Sequence, residues 1–352
     1  SRIQLHGCYK EETMSFNRLK LALAITATFG FASYSANAEE LSVGTFVPPS
    51  HETNVGMFKW FGEEIEKRSG GSLTMKLYPA GQLGAGPVQQ YKRTVEGVAD
   101  ITFGVAALTP TIFPKTMLAI LPGKATSIVD STERLWAVYD EYLADEWSEV
   151  KVLAIGNPSG SLLVGNRDVS TMEGMKGTKI VPFAATTTPV YQGMGAVPVA
   201  LDVSEHYTGL STGTIDVVVT SINNLMPPWN LDEVADYAVY NTPATFQVTY
   251  AIMNKERYEG LSAEHRAIID ELAGLPMSLE LAKSFQSADD LAKEWIDENI
   301  GSGDLKFEWI VTSDEERAKM EAAVRDGMEA IYAEYAERGI PNAKEIYEAL
   351  NQ

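Results

Sequence analysis

The sequence holds a single cysteine, Cys8, among 352 residues. It lies upstream of a segment that reads as a cleaved leader, so the remaining chain carries none. That excludes disulfides, thiolate metal sites and a cysteine nucleophile. Histidine is scarce too: beyond residue 38 there are only His51, His206 and His265. No two of them have the spacing of metal-ligand pairs, so neither a metal nor another cofactor is expected. After the leader, no apolar run is long enough to span a bilayer. Cationic charge is also short, with 28 Lys and Arg against 48 Asp and Glu for a formal net charge of -20. Such a surface repels nucleic acid and anionic membranes, and no nucleic-acid partner is expected.

What is present is a globular composition, 45% hydrophobic with the charges dispersed. Met14 is followed by Arg18 and Lys20, then by the apolar run from Leu21 to Ala27, and Ala36-Asn37-Ala38 supplies small residues at a cut site. This layout predicts residues 1–38 to be upstream residues plus a secretory signal peptide, and an exported product.

Strand and helix patterns then alternate. Leu41–Phe46 is a short apolar run. "HETNVGMFKWFGEEIEKRSGG" has helical spacing, with Val55, Phe58 and Ile65 on one face and a stop at Ser69-Gly70-Gly71. "LTMKLYP" alternates as a strand does, "PVQQYKRTVEGVAD" reads as a helix and "ITFGVAA" as a strand. This β-α-β-α-β order predicts an α/β domain with a parallel sheet. A second α/β unit follows, through "TKIVP", the helix "TPVYQGMGA", the strand "VPVAL", the helix "SEHYTGLSTG" and the strand "IDVVVTS". From Ser262 the chain is nearly all helical. Two such units with covering helices predict two lobes and a cleft at the carboxyl ends of the strands.

"LYPAGQLG", "MEGMKGTKI", "MGAVPVAL", "SEHYTGLSTGTIDV" and "MNKERYEGLSAEHRAII" occur in an order and spacing that resemble the solute-binding proteins of tripartite ATP-independent periplasmic (TRAP) transporters. The resemblance runs from Leu41 to the C-terminus. It implies a two-lobed periplasmic-binding-protein fold with a long helix crossing both lobes. Residues 39–160 and 250–285 would form lobe I, and 161–249 and 286–352 lobe II. It also implies a periplasmic monomer that binds a small-molecule solute, passes it to integral membrane TRAP transporter subunits, and is not an enzyme.

The same resemblance locates the ligand site, and here the sequence departs from its relatives. Family members usually carry a carboxylate-binding arginine at the position of Ile180, and often another near Ser161. Arg167 falls on a turn beyond that strand and is expected to be solvated. The loss of the arginine leaves three readings open. A neutral or amine-bearing solute would be held by Phe46, Phe183, Trp229 and Asp202, with Glu205 a further acid that capping spacing also explains. A carboxylate would sit at a helix start lined by Thr186, Thr187 and Thr188, with Thr188 as N-cap before Pro189. Alternatively Lys124 would replace the arginine from across the cleft. His51, Asn157, Thr220 and Asn223 complete the expected polar contacts. Trp229, after Pro227-Pro228, also reads as a loop anchor. His206 and His265 read as helix-surface residues.

Gly209-Leu210-Ser211-Thr212-Gly213 matches G-x-S-x-G, but a helix precedes it and a strand follows. A nucleophile elbow needs the reverse order. The match reads as a helix end with a glycine stop. A solute-sensing receptor subunit for a membrane sensor is the alternative from another class.

Overall fold

The computed structural model describes residues 38–352, apart from 126, 158–161, 227–228, 244–246 and 305. The predicted leader, Ser161 and Pro227-Pro228 lie outside the described residues. No described helix is long and apolar enough to cross a membrane.

Two sheets form the frame. The first contains β1 (Glu39–Gly44), β2 (Leu73–Tyr78), β3 (Ile101–Val105), β4 (Val150–Gly156) and β10 (Thr249–Asn254) in the order β2-β1-β3-β10-β4. The second contains β5 (Leu162–Gly165), β6 (Lys179–Val181), β7 (Val197–Pro198), β8 (Val217–Thr220), β9 (Tyr237–Tyr240) and β11 (Glu308–Val311) in the order β11-β9-β5-β8-β6-β7. Neither sheet is all parallel, as the leading strand–helix alternation had suggested. β10 returns antiparallel between β3 and β4, and β5 runs antiparallel to β8 and β9. Each return follows from the chain crossing between sheets, which reverses its direction.

The expected first helix is split. A π turn, Asn54–Phe58, precedes α1 (Lys59–Arg68). The wider turn rotates the apolar face, so Phe58 and Ile65 are buried while Val55 is 56% exposed. The remaining early helices are short: α2 (Gln90–Val95), α4 (Met172–Met175), α5 (Thr188–Gly193), α6 (His206–Ser211) and α7 (Lys255–Glu259). α6 ends at Gly213, which has φ 69° and accepts no Cβ cheaply; the helix-stop reading of G-x-S-x-G describes it.

The longer helices tie the lobes together. α3 (Ile128–Val138) is capped by Ser127, whose side chain accepts from the Asp130 N–H. α8 (Ala263–Leu272) leads into α9 (Leu275–Ser302), 28 residues ending at the left-handed Gly303. α9 buries Met277, Leu281 and Phe285 in the lobe I core, then Ala292 and Ile296 in the lobe II core. Its serines fix it to lobe I. Ser278 Oγ accepts from the Ile155 N–H at 2.9 Å and the Trp136 indole at 2.8 Å, and Ser284 Oγ accepts from the Met57 N–H at 3.0 Å. α10 (Asp314–Glu337) packs on α5, and α11 (Ala343–Leu350), placed with lobe II by sequence, packs on α3. One apolar cluster, including Trp147, Ile180, Tyr191, Val219, Met320 and Ile346, runs beneath both sheets.

His206 and His265 are not on the helix surface; they are 5% and 4% exposed. Each occupies the first turn of its helix and points inward, His265 meeting Ser72 Oγ at 2.8 Å.

The tightest joint between α5 and α10 is at Gly327, where an added Cβ would strike the Pro189 carbonyl and the Val190 Cα. Gly327→Ala is expected to destabilise by about 1–3 kcal/mol, since forced overpacking against backbone exceeds alanine's helix gain of about 1 kcal/mol. Urea denaturation checks this, and an unchanged or raised midpoint would refute the close approach.

Candidate functional site

Strand register fixes where the two sheets face each other. β1 and β3 run parallel, and Thr249 at the start of β10 pairs with both Val105 and Gly156. The carboxyl ends of β1, β3 and β4 therefore share one edge. In the second sheet, Leu162 at the start of β5 pairs with Thr220 at the end of β8, and Leu163 pairs with Val239 near the end of β9. β6 runs parallel to β8. The segments β4→β5 and β9→β10 cross between these edges, so the two carboxyl edges oppose each other across a cleft. This is where open α/β sheets bind ligands.

The loop after β1 builds the lobe I wall. Phe46 stacks on Phe103 with centroids 5.8 Å apart and planes 14° from parallel. His51 lies 6.2 Å from the rings of both Phe103 and Phe285. Burial lowers His51 to about 4, so at neutral pH the ring is uncharged. Its Nδ1 meets Thr53 Oγ1 at 2.9 Å and its Nε2 meets Glu52 Oε1 at 3.4 Å, the latter a polar contact rather than an ion pair.

Glu52 makes the link to lobe II, where Asn223 donates from Nδ2 to its Oε1 at 3.4 Å. Asn223 accepts in turn from Ser221 Oγ, and Asn224 Nδ2 donates to Thr220 Oγ1 at 2.7 Å. Burial raises Glu52. On α9, Asp289 is only 6% exposed. Burial first, then the charges of Glu52 and Asp290, push it up to about 7 against the opposing pull of Lys293. Two carboxyl groups from distant parts of the chain thus share one weakly solvated region at the lobe boundary. Sequence reading missed both. Glu52 is a loop residue beside His51, and nothing local distinguishes Asp289 from the solvated acids of a long helix.

The residues expected at the site are distributed unevenly. Phe46, His51, Thr220 and Asn223 follow or end cleft-edge strands and take part in the contacts above. Phe183 follows β6 and packs, half-buried, on the shared apolar cluster. Asn157 ends β4 and donates from Nδ2 to the Ala119 carbonyl at 3.2 Å, bracing the crossover. Thr188 is not the N-cap: it lies inside α5, behind a 3-10 turn at Ala185–Thr187. That turn draws the Thr187 hydroxyl back to the Ala184 carbonyl at 2.7 Å, so no side chain caps the helix. Thr186 Oγ1 is buried with no hydrogen-bond partner among the described residues. Asp202 and Glu205 are exposed, and Glu205 caps nothing with its side chain. Trp229 is 44% exposed and lines a separate lobe II pocket of about 420 Å³ with His206 and Tyr207. Arg167 donates to the Lys176 carbonyl past the far end of β5. Ile180 is fully buried between Val217 and Pro198. Lys124 is exposed beside Asn351, whose Oδ1 accepts its backbone N–H at 2.7 Å.

The raised Asp289 has a consequence for stability. Between its ordinary 3.8 and about 7 the folded protein holds a proton there that the unfolded chain releases. Its contribution is full below 3.8 and lost as pH rises through about 7. Asp289→Asn is therefore expected to be more stable than wild type at pH 8, on the order of 2 kcal/mol, with the gap shrinking at pH 5. Urea melts at the two pH values measure it; a gap independent of pH would remove the shift.

Known proteins share this architecture. Over residues 43–337 the sequence matches the family described as bacterial extracellular solute-binding protein, family 7. The ectoine/5-hydroxyectoine-binding periplasmic protein UehA of Ruegeria pomeroyi is 25% identical over 327 residues, 86% of this chain and 91% of the relative. The uncharacterized protein YiiZ of Salmonella typhimurium is 24% identical over 269 residues, 74% of this chain and 79% of the relative. Among solved structures, a marine-metagenome TRAP solute-binding protein specific for aromatic acid ligands aligns with a TM-score of 0.78 at 25% identity, covering 88% of this chain and 96% of that one. A TRAP solute-binding protein from Rhodoferax ferrireducens, with copurified benzoate, shares the fold at a TM-score of 0.77 and 23% identity, covering 89% and 96%. The chain belongs to the bacterial extracellular solute-binding proteins of family 7, the ligand-capturing components of TRAP transporters.

Proposed function

We propose that this protein captures a small polar organic solute in the periplasm by closing its two lobes, and that the solute is neutral or bears an amine. The observation that carries the reading is the charge of the cleft. Ile180 puts an apolar, fully buried side chain where the family resemblance expects an arginine, while Glu52 brings a carboxyl group to the lobe boundary beside His51 and the Phe46–Phe103 stack, and its charge reaches Asp289 on α9. A carboxylate with an aromatic wall suits a cation, and a partly protonated acid suits a neutral hydrogen-bonding group. In this reading Glu52 takes the role expected of Asp202, whose side chain is exposed. Thr220, Asn223 and His51 would complete the polar contacts, with Phe183 and Asn157 at the cleft margin. The protein would act as a monomer without catalysis, delivering its solute to the membrane subunits, or in a second class reporting occupancy to a membrane sensor.

A second ligand reading has its own support. The marine-metagenome relative is specific for aromatic acids, and the unpartnered Thr186 hydroxyl lies on the shelf before α5. An organic carboxylate would then use Thr186 to Thr188.

A thermal-shift screen of amines, amino alcohols, sugars and mono- and dicarboxylates separates the two, because a ligand that binds the folded state raises Tm. The amine reading expects amines to score and Glu52→Gln to weaken them by roughly tenfold or more, the loss of a charge-assisted contact. If carboxylates alone raise Tm and Glu52→Gln leaves their affinity unchanged, the second reading replaces the first.

A further inference from the structure

One groove formed by the described residues is distinct from the cleft wall. It has a volume of about 1320 Å³, and neither Phe46, Glu52, Thr220 nor Asn223 lines it. It flanks the crossovers: Asn157 at the end of β4 and Tyr240–Pro243 after β9 form its floor. Lobe I contributes Lys124 and Arg134, α10 contributes Arg317 and Arg325, and Lys293 comes from the bridging helix α9. The acids lining it are Asp289, Glu321 and Glu348, and Asp289 is the group whose ionisation burial suppresses. In a chain with a formal charge of -20, this concentrates cations against the general field.

The groove's walls are held in place. Arg134 pairs with Asp130 at 2.7 Å. Arg317 pairs with Glu321 at 2.8 Å and donates to Asn241 Oδ1 at 2.8 Å, tying α10 to the crossover. Asn351 holds the backbone of Lys124 from the C-terminal tail. By contrast, Lys124 and Arg325 have no carboxylate within 4.0 Å among the described residues, and Lys293 faces the Tyr240 ring at 5.9 Å. Lys124 and Arg325 therefore line one groove without a carboxylate partner among the described residues.

We propose that this groove is a second binding site, for a small multivalent anion that bridges Lys124 of lobe I and Arg325 of α10. Multivalency follows from the distribution of charge: the lining cations come from separate elements, the segment before α3, α3 itself, α9 and α10, and several anionic groups meet them better than one. Guanidinium and ammonium groups both bind carboxylate or phosphate oxygens.

Citrate is the probe. At constant ionic strength, set with sodium chloride, citrate is expected to raise the Tm of the wild-type protein saturably. Arg325→Glu should lower its affinity at least tenfold, Lys124→Glu should do the same, and Arg325→Lys should retain most of it. Both sites are exposed, so circular dichroism and the Tm in chloride alone should be unchanged by these substitutions. A rise that chloride reproduces, or one that persists in Arg325→Glu, overturns the proposal; persistence there would place citrate in the cleft instead. Thr220→Val serves as the control that alters the cleft edge, where its hydroxyl meets Asn224, without touching a groove-lining side chain, and its citrate affinity should match wild type.

Discussion

Everything in this molecule depends on how the chain passes between its sheets. Besides the helical route from β10 through α9 to β11, it crosses from β4 to β5 and from β9 to β10, and these two strand-to-strand crossings join carboxyl-side edges. The two edges must therefore oppose each other, and their soft relative motion is rotation about those joints. α9 limits that rotation unequally. In lobe I its serines accept hydrogen bonds from Ile155, Trp136 and Met57, which are directional and lost when displaced. In lobe II its anchors among the described residues are mainly apolar, through Ala292 and Ile296, with Lys293 over the Tyr240 ring, and such contacts tolerate sliding. The helix is thus expected to travel with lobe I while lobe II moves along it.

The elements legible in the sequence were those with a clear period or punctuation. The strand–helix alternation of the first lobe, the two long helices near the C-terminus and the glycine-terminated helix ends could be read from local chemistry. β9, β10 and β11 could not. A strand buried on both faces, such as Thr249–Asn254, shows no alternation, and its antiparallel placement depends on a crossover that local pattern does not encode. The π turn at Asn54–Phe58 likewise shifts a helical face by one residue without a sequence mark, which exposed Val55 against expectation.

The site was legible to the extent that it follows strand ends. Phe46, Thr220 and Asn223 come directly after apolar strands, so their place at the cleft edge could be inferred. Glu52 and Asp289 could not be paired, because the loop after β1 and the middle of α9 meet only in the folded chain. Asp202 drew attention as an unusual acid, yet the carboxyl groups with perturbed ionisation lie elsewhere. A loop residue's charge says little until burial is known, since solvent screens the exposed acid and leaves the buried one to its neighbours.

Those neighbours connect solute charge to proton number. Asp289 is raised because ionising it means removing a charge from water beside Glu52. A cation bound between them would offset that cost, lower both carboxyl groups and release protons on binding. An anion would raise them further and take protons up, and a neutral solute that expels water would do so more weakly. At a pH near the value of Asp289, the sign of proton exchange on binding therefore reports the charge of the solute directly. Ile180 matters in the same terms: where the family resemblance leads one to expect an arginine, this chain has a buried apolar side chain that carries no charge.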